Sequence, residues 1–242
     1  MPIQDRSRRL TQFEFEVTHS CNKNCPHCDH RISTSDYELN STDYNYVIDR
    51  IGETKEIESV FLIGGEPLDH PNLDALILSI ETDFPNAEII IQTNGKLLPF
   101  YYHCTEPKVK WLLSEYPGWN DQIIKDYEGA PNVKIYRFNG MFWDITEDPN
   151  LSDADAQKAR ADCLFLCRVI GRNLYDCCLS EGIERDFKTE PVHVPFTENW
   201  REDIRTIKTW RACKHCFRAA TILKSGTMYG KRTRSHDDKL KV

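Results

Sequence analysis

FEFEVTHSCNKNCPHC, Phe13 to Cys28, decides how the rest of the chain is read. FEFEV alternates apolar and acidic residues with the period of two that marks a strand with one face on a core. Three cysteines follow at once, Cys21, Cys25 and Cys28, spaced C-x3-C-x2-C. Three thiolates hold a metal centre one ligand short. Structural zinc is one reading, with His27 or His30 completing a tetrahedron; an iron–sulfur cluster with one open iron is the other.

Outward from that stretch, apolar segments and helical segments alternate. SVFLIGG (Ser59 to Gly65), AEIIIQTNG (Ala87 to Gly95), KVKWLLSEY (Lys108 to Tyr116) and NVKIYRF (Asn132 to Phe138) read as strands. Between them, a helix capped by Ser41–Thr42–Asp43 runs to about Ile51 with Tyr46, Val47 and Ile51 on one face. LDALILSIETDF from Leu73 and IIKDYEG read as two more helices. Strands alternating with helices predict βαβ units and a parallel sheet. Past residue 150 the pattern changes: CRVIGRNLYDCC predicts a hairpin around Gly171–Arg172–Asn173, and ENWREDIRTIKTWRACKHC a helix delivering Cys213 and Cys216. The polar stretch EDPNLSDADAQKARADC marks the boundary between the two parts.

Composition narrows the class. The chain has 242 residues, 40% hydrophobic and 29% charged, as expected of a globular protein. No apolar run reaches the ~18 residues of a membrane span, and the polar MPIQDRSRRLTQ start lacks a signal-peptide core. A cytoplasmic, reducing location follows, in which ten cysteines are metal ligands more readily than disulfides. A net charge of −7 argues against a nucleic-acid surface, despite Arg6, Arg8, Arg9 and a basic tail beyond Lys224.

Three motifs in order now carry a resemblance: CNKNCPHC after the first strand, GGEP (Gly64 to Pro67) after the second, QTNG (Gln92 to Gly95) after the third. Together they resemble the radical S-adenosylmethionine (SAM) superfamily. The resemblance implies a partial (β/α)6 TIM-like barrel over residues 13–155, behind a short extension at 1–12. It implies that SAM chelates the open iron of a [4Fe-4S] cluster held by Cys21, Cys25 and Cys28, and is cleaved to a 5′-deoxyadenosyl radical. SAM-binding positions carried over are His27 near the adenine, Gly64, Gly65, Glu66 (a carboxylate for the ammonium), Pro67, Thr93, Asn94 and Ser114. A later glycine-rich motif common in the family is not evident in NVKIYRFNGMFWDI.

The other cysteines fall late in the chain, apart from Cys104, which reads as a packing residue. The hairpin, the CC after LY and the distal C-x2-C resemble a twitch domain, a shortened SPASM extension, here at 156–220 ahead of the tail at 221–242. That resemblance implies an auxiliary [4Fe-4S] cluster on Cys177, Cys213, Cys216 and either Cys163 or Cys167, with Cys178 turned to the opposite face. Four closed thiolates would suit zinc as well. The domain plan is similar to that of twitch-type members that oxidise a secondary alcohol in aminoglycoside pathways. The expected enzyme is a radical SAM oxidoreductase or modifying enzyme acting on a sugar or aminocyclitol, with a ribosomal peptide as the alternative substrate. A reductase such as flavodoxin or ferredoxin would supply electrons. Glu115, Trp119 and Trp143 are candidates for the substrate pocket. A non-enzymatic zinc-binding protein is the reading from another class.

Overall fold

The structure, a computed structural model, describes residues 10–25, 28, 35–52, 54–101, 108–137, 150–163, 167–216 and 219–220. His27, Cys104, Trp143 and the basic tail lie outside the described residues. Five strands follow one another in parallel: β1 (Gln12–Thr18), β2 (Ser59–Gly64), β3 (Glu88–Thr93), β4 (Val109–Glu115) and β5 (Val133–Arg137). Then β6 (Arg168–Ile170) and β7 (Asn173–Tyr175) form the hairpin, and β8 (Val194–Pro195) pairs with β7. The order among the described residues is β5-β4-β3-β2-β1-β6-β7-β8, an open sheet, consistent with a partial TIM-like barrel. The sixth parallel strand is β6, which sits beside β1 instead of beyond β5. The hairpin therefore extends the barrel sheet.

β1 explains the two-faced pattern of its sequence. Phe13, Phe15 and Val17 are fully buried in the main core with Val47, Ile51, Leu73 and Ile80 of helices α1 (Ser41–Ile51) and α2 (Leu73–Asp83). Glu14, Glu16 and Thr18 consequently face the other side, the concave face of the sheet. That face also carries Phe61, Ile63, Ile90 and Leu112, a separate apolar cluster. Both faces of β2 are buried, the run of apolar residues a covered parallel strand requires.

Several local expectations are corrected. α1 is capped by Asn40, whose side chain accepts from the Asp43 amide, and it buries Tyr44 where Tyr46 was expected. Tyr46 instead lies under the Arg50 guanidinium, 3.6 Å from its ring centre. The hairpin turn is two residues, since Ile170 pairs with Asn173, and Gly171 supplies the positive φ (58°) of its first position. The polar stretch read as a boundary contains helix α5 (Asp153–Asp162), capped by the Ser152 hydroxyl. The expected single C-terminal helix is two short ones, α7 (Trp200–Asp203) and α8 (Trp210–Cys213). Different cores hold them. Trp200 packs edge-on against Phe13 at 4.9 Å and donates its indole N–H to Ile51 O at 3.2 Å. Ala212 and Cys213 belong to a second cluster with Ala156, Ala159, Leu179 and Ile183, the last on helix α6 (Ser180–Phe187). One straight helix does not serve both anchors. Helices α3 (Leu98–Tyr101) and α4 (Asp121–Tyr127) complete the layer outside the parallel strands. No helix among the described residues is long and apolar enough to cross a membrane.

Candidate functional site

The carboxyl ends of β1, β2 and β3 converge, and small residues allow it. Gly65 donates its N–H to Thr18 O at 2.7 Å, and the next amide, Glu66, donates to Ser20 O at 2.8 Å. A Cβ on Gly65 would stand 2.1 Å from Ser20 O; one on Gly64, which has φ +150°, would stand 2.3 Å from Thr18 O. The two glycines thus let the chain entering the cysteine loop lie directly on the end of β2. Their observed neighbour is this chain's own backbone.

Glu66 is fully buried and ties the loops after β2 and β3 together. One carboxylate oxygen accepts from the Thr93 hydroxyl (2.6 Å) and the Leu68 amide (3.2 Å), the other from the Asn94 amide (2.8 Å). Burial pushes its pKa up to about 7 against the pull of those three donors. Asn22, inside the cysteine loop, accepts from the Asn94 side chain at 2.8 Å, while its amide donates to the Asp69 carboxylate. Asn120 donates to Asn94 O (2.8 Å) and Ser114 O (3.0 Å) and accepts from the Tyr116 amide (2.8 Å), bracing β3 to β4. Thr93, Asn94 and Ser114 are all buried at this end.

The first cysteine group faces this assembly. Burial, reinforced by the charges of Glu66, Cys25 and Cys28, pushes the Cys21 thiol up to about 11. Bare thiols so placed resist ionising, and a bound cationic centre would reverse that penalty, so the donor set suits a metal cluster. Tyr116, which the sequence did not single out, faces all three cysteines and Glu66; burial first and those charges second raise its pKa. Trp119 stands edge-on to Tyr116 at 6.0 Å, with the Lys23 ammonium 4.3 Å and the Lys96 ammonium 5.2 Å from its ring. Trp119 therefore belongs to the same end of the sheet. Glu115, the last residue of β4, is at that end too but on the opposite face of the strand from Ser114, where it pairs with Arg137 at 3.5 Å.

The second cysteine group assembles between α5, the end of β7, α6 and α8. Burial raises the Cys213 thiol, with Cys216 and Cys163 adding like charge. Cys177 is raised by a thiol–thiol hydrogen bond with Cys178, by burial and by Cys163. Cys163 thus joins Cys177, Cys213 and Cys216, whereas Cys167 is buried in the main core beside Glu14. Cys178, expected on the opposite face, meets Cys177 directly. Among the described residues no three His, Cys, Asp or Glu side chains converge on one point closely enough to hold a single ion. Arg160 and Asp176 sit among these thiols, paired at 2.6 Å and both buried, and the Thr209 hydroxyl also donates to Asp176. Sequence signals existed for that staple, in the Arg of ARADC and the Asp of LYDCC, but neither announces its partner.

An open, mainly parallel α/β sheet with its polar and thiol-bearing residues gathered at the strand carboxyl ends is the plan of a ligand-binding enzyme core. Residues 15–108 match the sequence model of the Radical SAM superfamily. That stretch, from β1 to the start of β4, is therefore similar to the radical SAM superfamily, whose members hold a [4Fe-4S] cluster and SAM. Among solved structures, BtrN in complex with AdoMet and 2-DOIA is similar with a TM-score of 0.56 and 19% identity, covering 87% of this chain and 89% of that one. BtrN in an open conformation gives a TM-score of 0.51 and 20% identity over 87% and 88%. SuiB of Streptococcus suis bound to S-adenosylmethionine matches more loosely, with a TM-score of 0.42 and 10% identity over 92% and 76%. No curated protein matches the chain.

Proposed function

We propose that this protein is a radical SAM oxidoreductase acting on a small polar molecule such as a sugar or aminocyclitol. The observation that carries the reading is the bracing of the cysteine loop against the GGEP and QTNG segments by Asn22 and Glu66. Cys21, Cys25 and Cys28 are the ligands of the SAM-binding [4Fe-4S] cluster in this reading. When bound and reduced, that cluster with SAM supplies a carbon-centred radical able to remove a substrate hydrogen atom.

The chain's own residues do the positioning. Gly64 to Pro67 offer backbone to the amino end of SAM, and Thr93, Asn94 and Ser114 offer polar groups nearby. With its carboxylate occupied by Thr93, Asn94 and Leu68, Glu66 acts on SAM through the loops it fixes. His27 and Trp143 keep their assigned adenine and substrate roles as proposals. Cys163, Cys177, Cys213 and Cys216 would hold the auxiliary [4Fe-4S] cluster, which would supply an electron acceptor for an alcohol oxidation. Arg160, beside Cys163 and Cys177, supplies positive charge to that thiolate set. BtrN supports the small-molecule substrate, since its structure holds AdoMet and 2-DOIA in a similar fold. A flavodoxin or ferredoxin in the cytoplasm would supply the electrons.

The test is dithionite-driven cleavage of SAM by anaerobically reconstituted protein. Formation of 5′-deoxyadenosine by wild type and its loss in Cys25→Ala is the expected result. Absence of cleavage by a fully iron-loaded wild type would sink the reading.

A further inference from the structure

The concave face of β1 and β6 holds a charged group that the SAM site leaves unused. Arg168 is buried between Glu14 (2.9 Å) and Glu16 (3.1 Å), and it also donates to Cys178 O at 2.9 Å. Glu16 is 2% exposed and faces the concave side, one strand-end away from the cysteine loop. His19, 4% exposed, stands beside it, with Nε2 3.1 Å from the Glu16 carboxylate. Yet among the described residues neither ring nitrogen of His19 has a hydrogen-bond partner: the Glu16 oxygen is within ion-pair distance but not in hydrogen-bonding geometry. Tyr37 covers one side of the ring at 5.1 Å. Across from it, Glu181 at the start of α6 feels the charges of both Glu16 and His19, and is held by Arg185 at 2.5 Å.

A buried imidazole with two unmet hydrogen bonds is costly, and folds remove such groups unless something satisfies them. The location says what that is. His19 lies two residues before Cys21, and Arg168, the partner of Glu16, donates to Cys178 O, so this polar group lies between the two thiol groups. A neutral imidazole offers one donor and one acceptor, and a carboxylate beside it offers further acceptors. That combination fits vicinal hydroxyl and amino groups and offers nothing to an apolar side chain.

We propose that His19 and Glu16 form a subsite that hydrogen-bonds the hydroxyl and amino groups of an amino-polyol substrate, holding it between the two cysteine groups. The proposal rests on the radical SAM reading for the substrate's purpose but is tested by binding alone. Iron-loaded protein with SAM present is titrated calorimetrically with an aminocyclitol, scyllo-inosamine, and with myo-inositol, which lacks the amine. Wild type should bind the inosamine saturably and more tightly than the inositol. His19→Ala should weaken inosamine binding about tenfold or more, His19→Asn less, because its amide still offers a donor and an acceptor. Glu16→Gln should erase the preference for the amine. Iron content and SAM affinity of each variant, measured separately, report whether the fold is intact; a folded His19→Asn decides the matter if His19→Ala does not fold. Undiminished binding in folded His19 variants would overturn the subsite, and no binding of either probe by wild type would overturn the substrate class. Failure of wild type to cleave SAM would strike the radical reading alone, leaving the titration result standing.

Discussion

Glu66 gives the sharpest physical prediction. Its carboxyl group is fully buried, and burial raises its pKa from an ordinary 4.5 to about 7. The folded protein therefore holds this proton more tightly than the unfolded chain does. The sign follows: the group's contribution to stability is fully present below about pH 4.5 and is lost as pH rises through about 7. Linkage over that interval makes the loss between pH 5 and pH 8 about 2.5 kcal/mol, or about 5–10 °C in melting temperature for a domain of this size. Glu66→Gln has no proton to lose there. It leaves an acceptor for Thr93 and Leu68 but turns an amide N–H2 toward the Asn94 amide, a pH-independent cost of about 1–3 kcal/mol. The assay is thermal melting of anaerobic wild type and Glu66→Gln at pH 5, 6, 7 and 8, read as the difference between the two proteins at each pH. The variant should melt lower than wild type at pH 5, with the gap closing or reversing by pH 8. A gap that stays constant across the series would show that burial does not penalise the Glu66 charge, and the description of this carboxylate would be wrong.

Gly65→Ala should destabilise the protein by roughly 1–3 kcal/mol and lower iron uptake at the first site, because its Cβ would meet Ser20 O at 2.1 Å; melting and iron assay check both. Cys163→Ala should lose the auxiliary iron, whereas Cys167→Ala, buried in the main core, should keep it and lose only packing. Equal iron loss from the two would contradict the placement of Cys163. Arg160→Leu leaves Asp176 buried without its ion pair and should cost about 3–5 kcal/mol in a melting experiment, part of it recovered by adding Asp176→Asn.

Much of this arrangement was legible in the sequence because its signals were local. Period two in FEFEV, the apolar runs of SVFLIG and EIIIQT, and turn glycines after them place five parallel strands close to where they stand. Motifs at strand ends were legible for the same reason. What stayed hidden was non-local. Nothing in RVIGRNLY says that β6 pairs with β1, because a three-residue strand gives no partner signal. Alternation in FEFEV puts the glutamates of β1 off the core without naming what they meet; only Arg168, 154 residues away from Glu14, makes them a buried ion group. The C-terminal helix was overread because helical periodicity spans its break, while Trp200 and Cys213 answer to different cores. Asn22 and Asn120 looked like ordinary loop residues, and their role appears only once three strand ends meet.

The measurement that bears most directly on the central claim is iron and sulfide content of anaerobically reconstituted wild type, Cys25→Ala and Cys163→Ala. Two [4Fe-4S] clusters predict about eight irons in wild type and about four in each variant, with 5′-deoxyadenosine formed only where Cys25 is intact. Wild type with about four irons that Cys163→Ala leaves unchanged would contradict the auxiliary cluster. Iron-free protein that binds zinc at both sites would contradict the account as a whole.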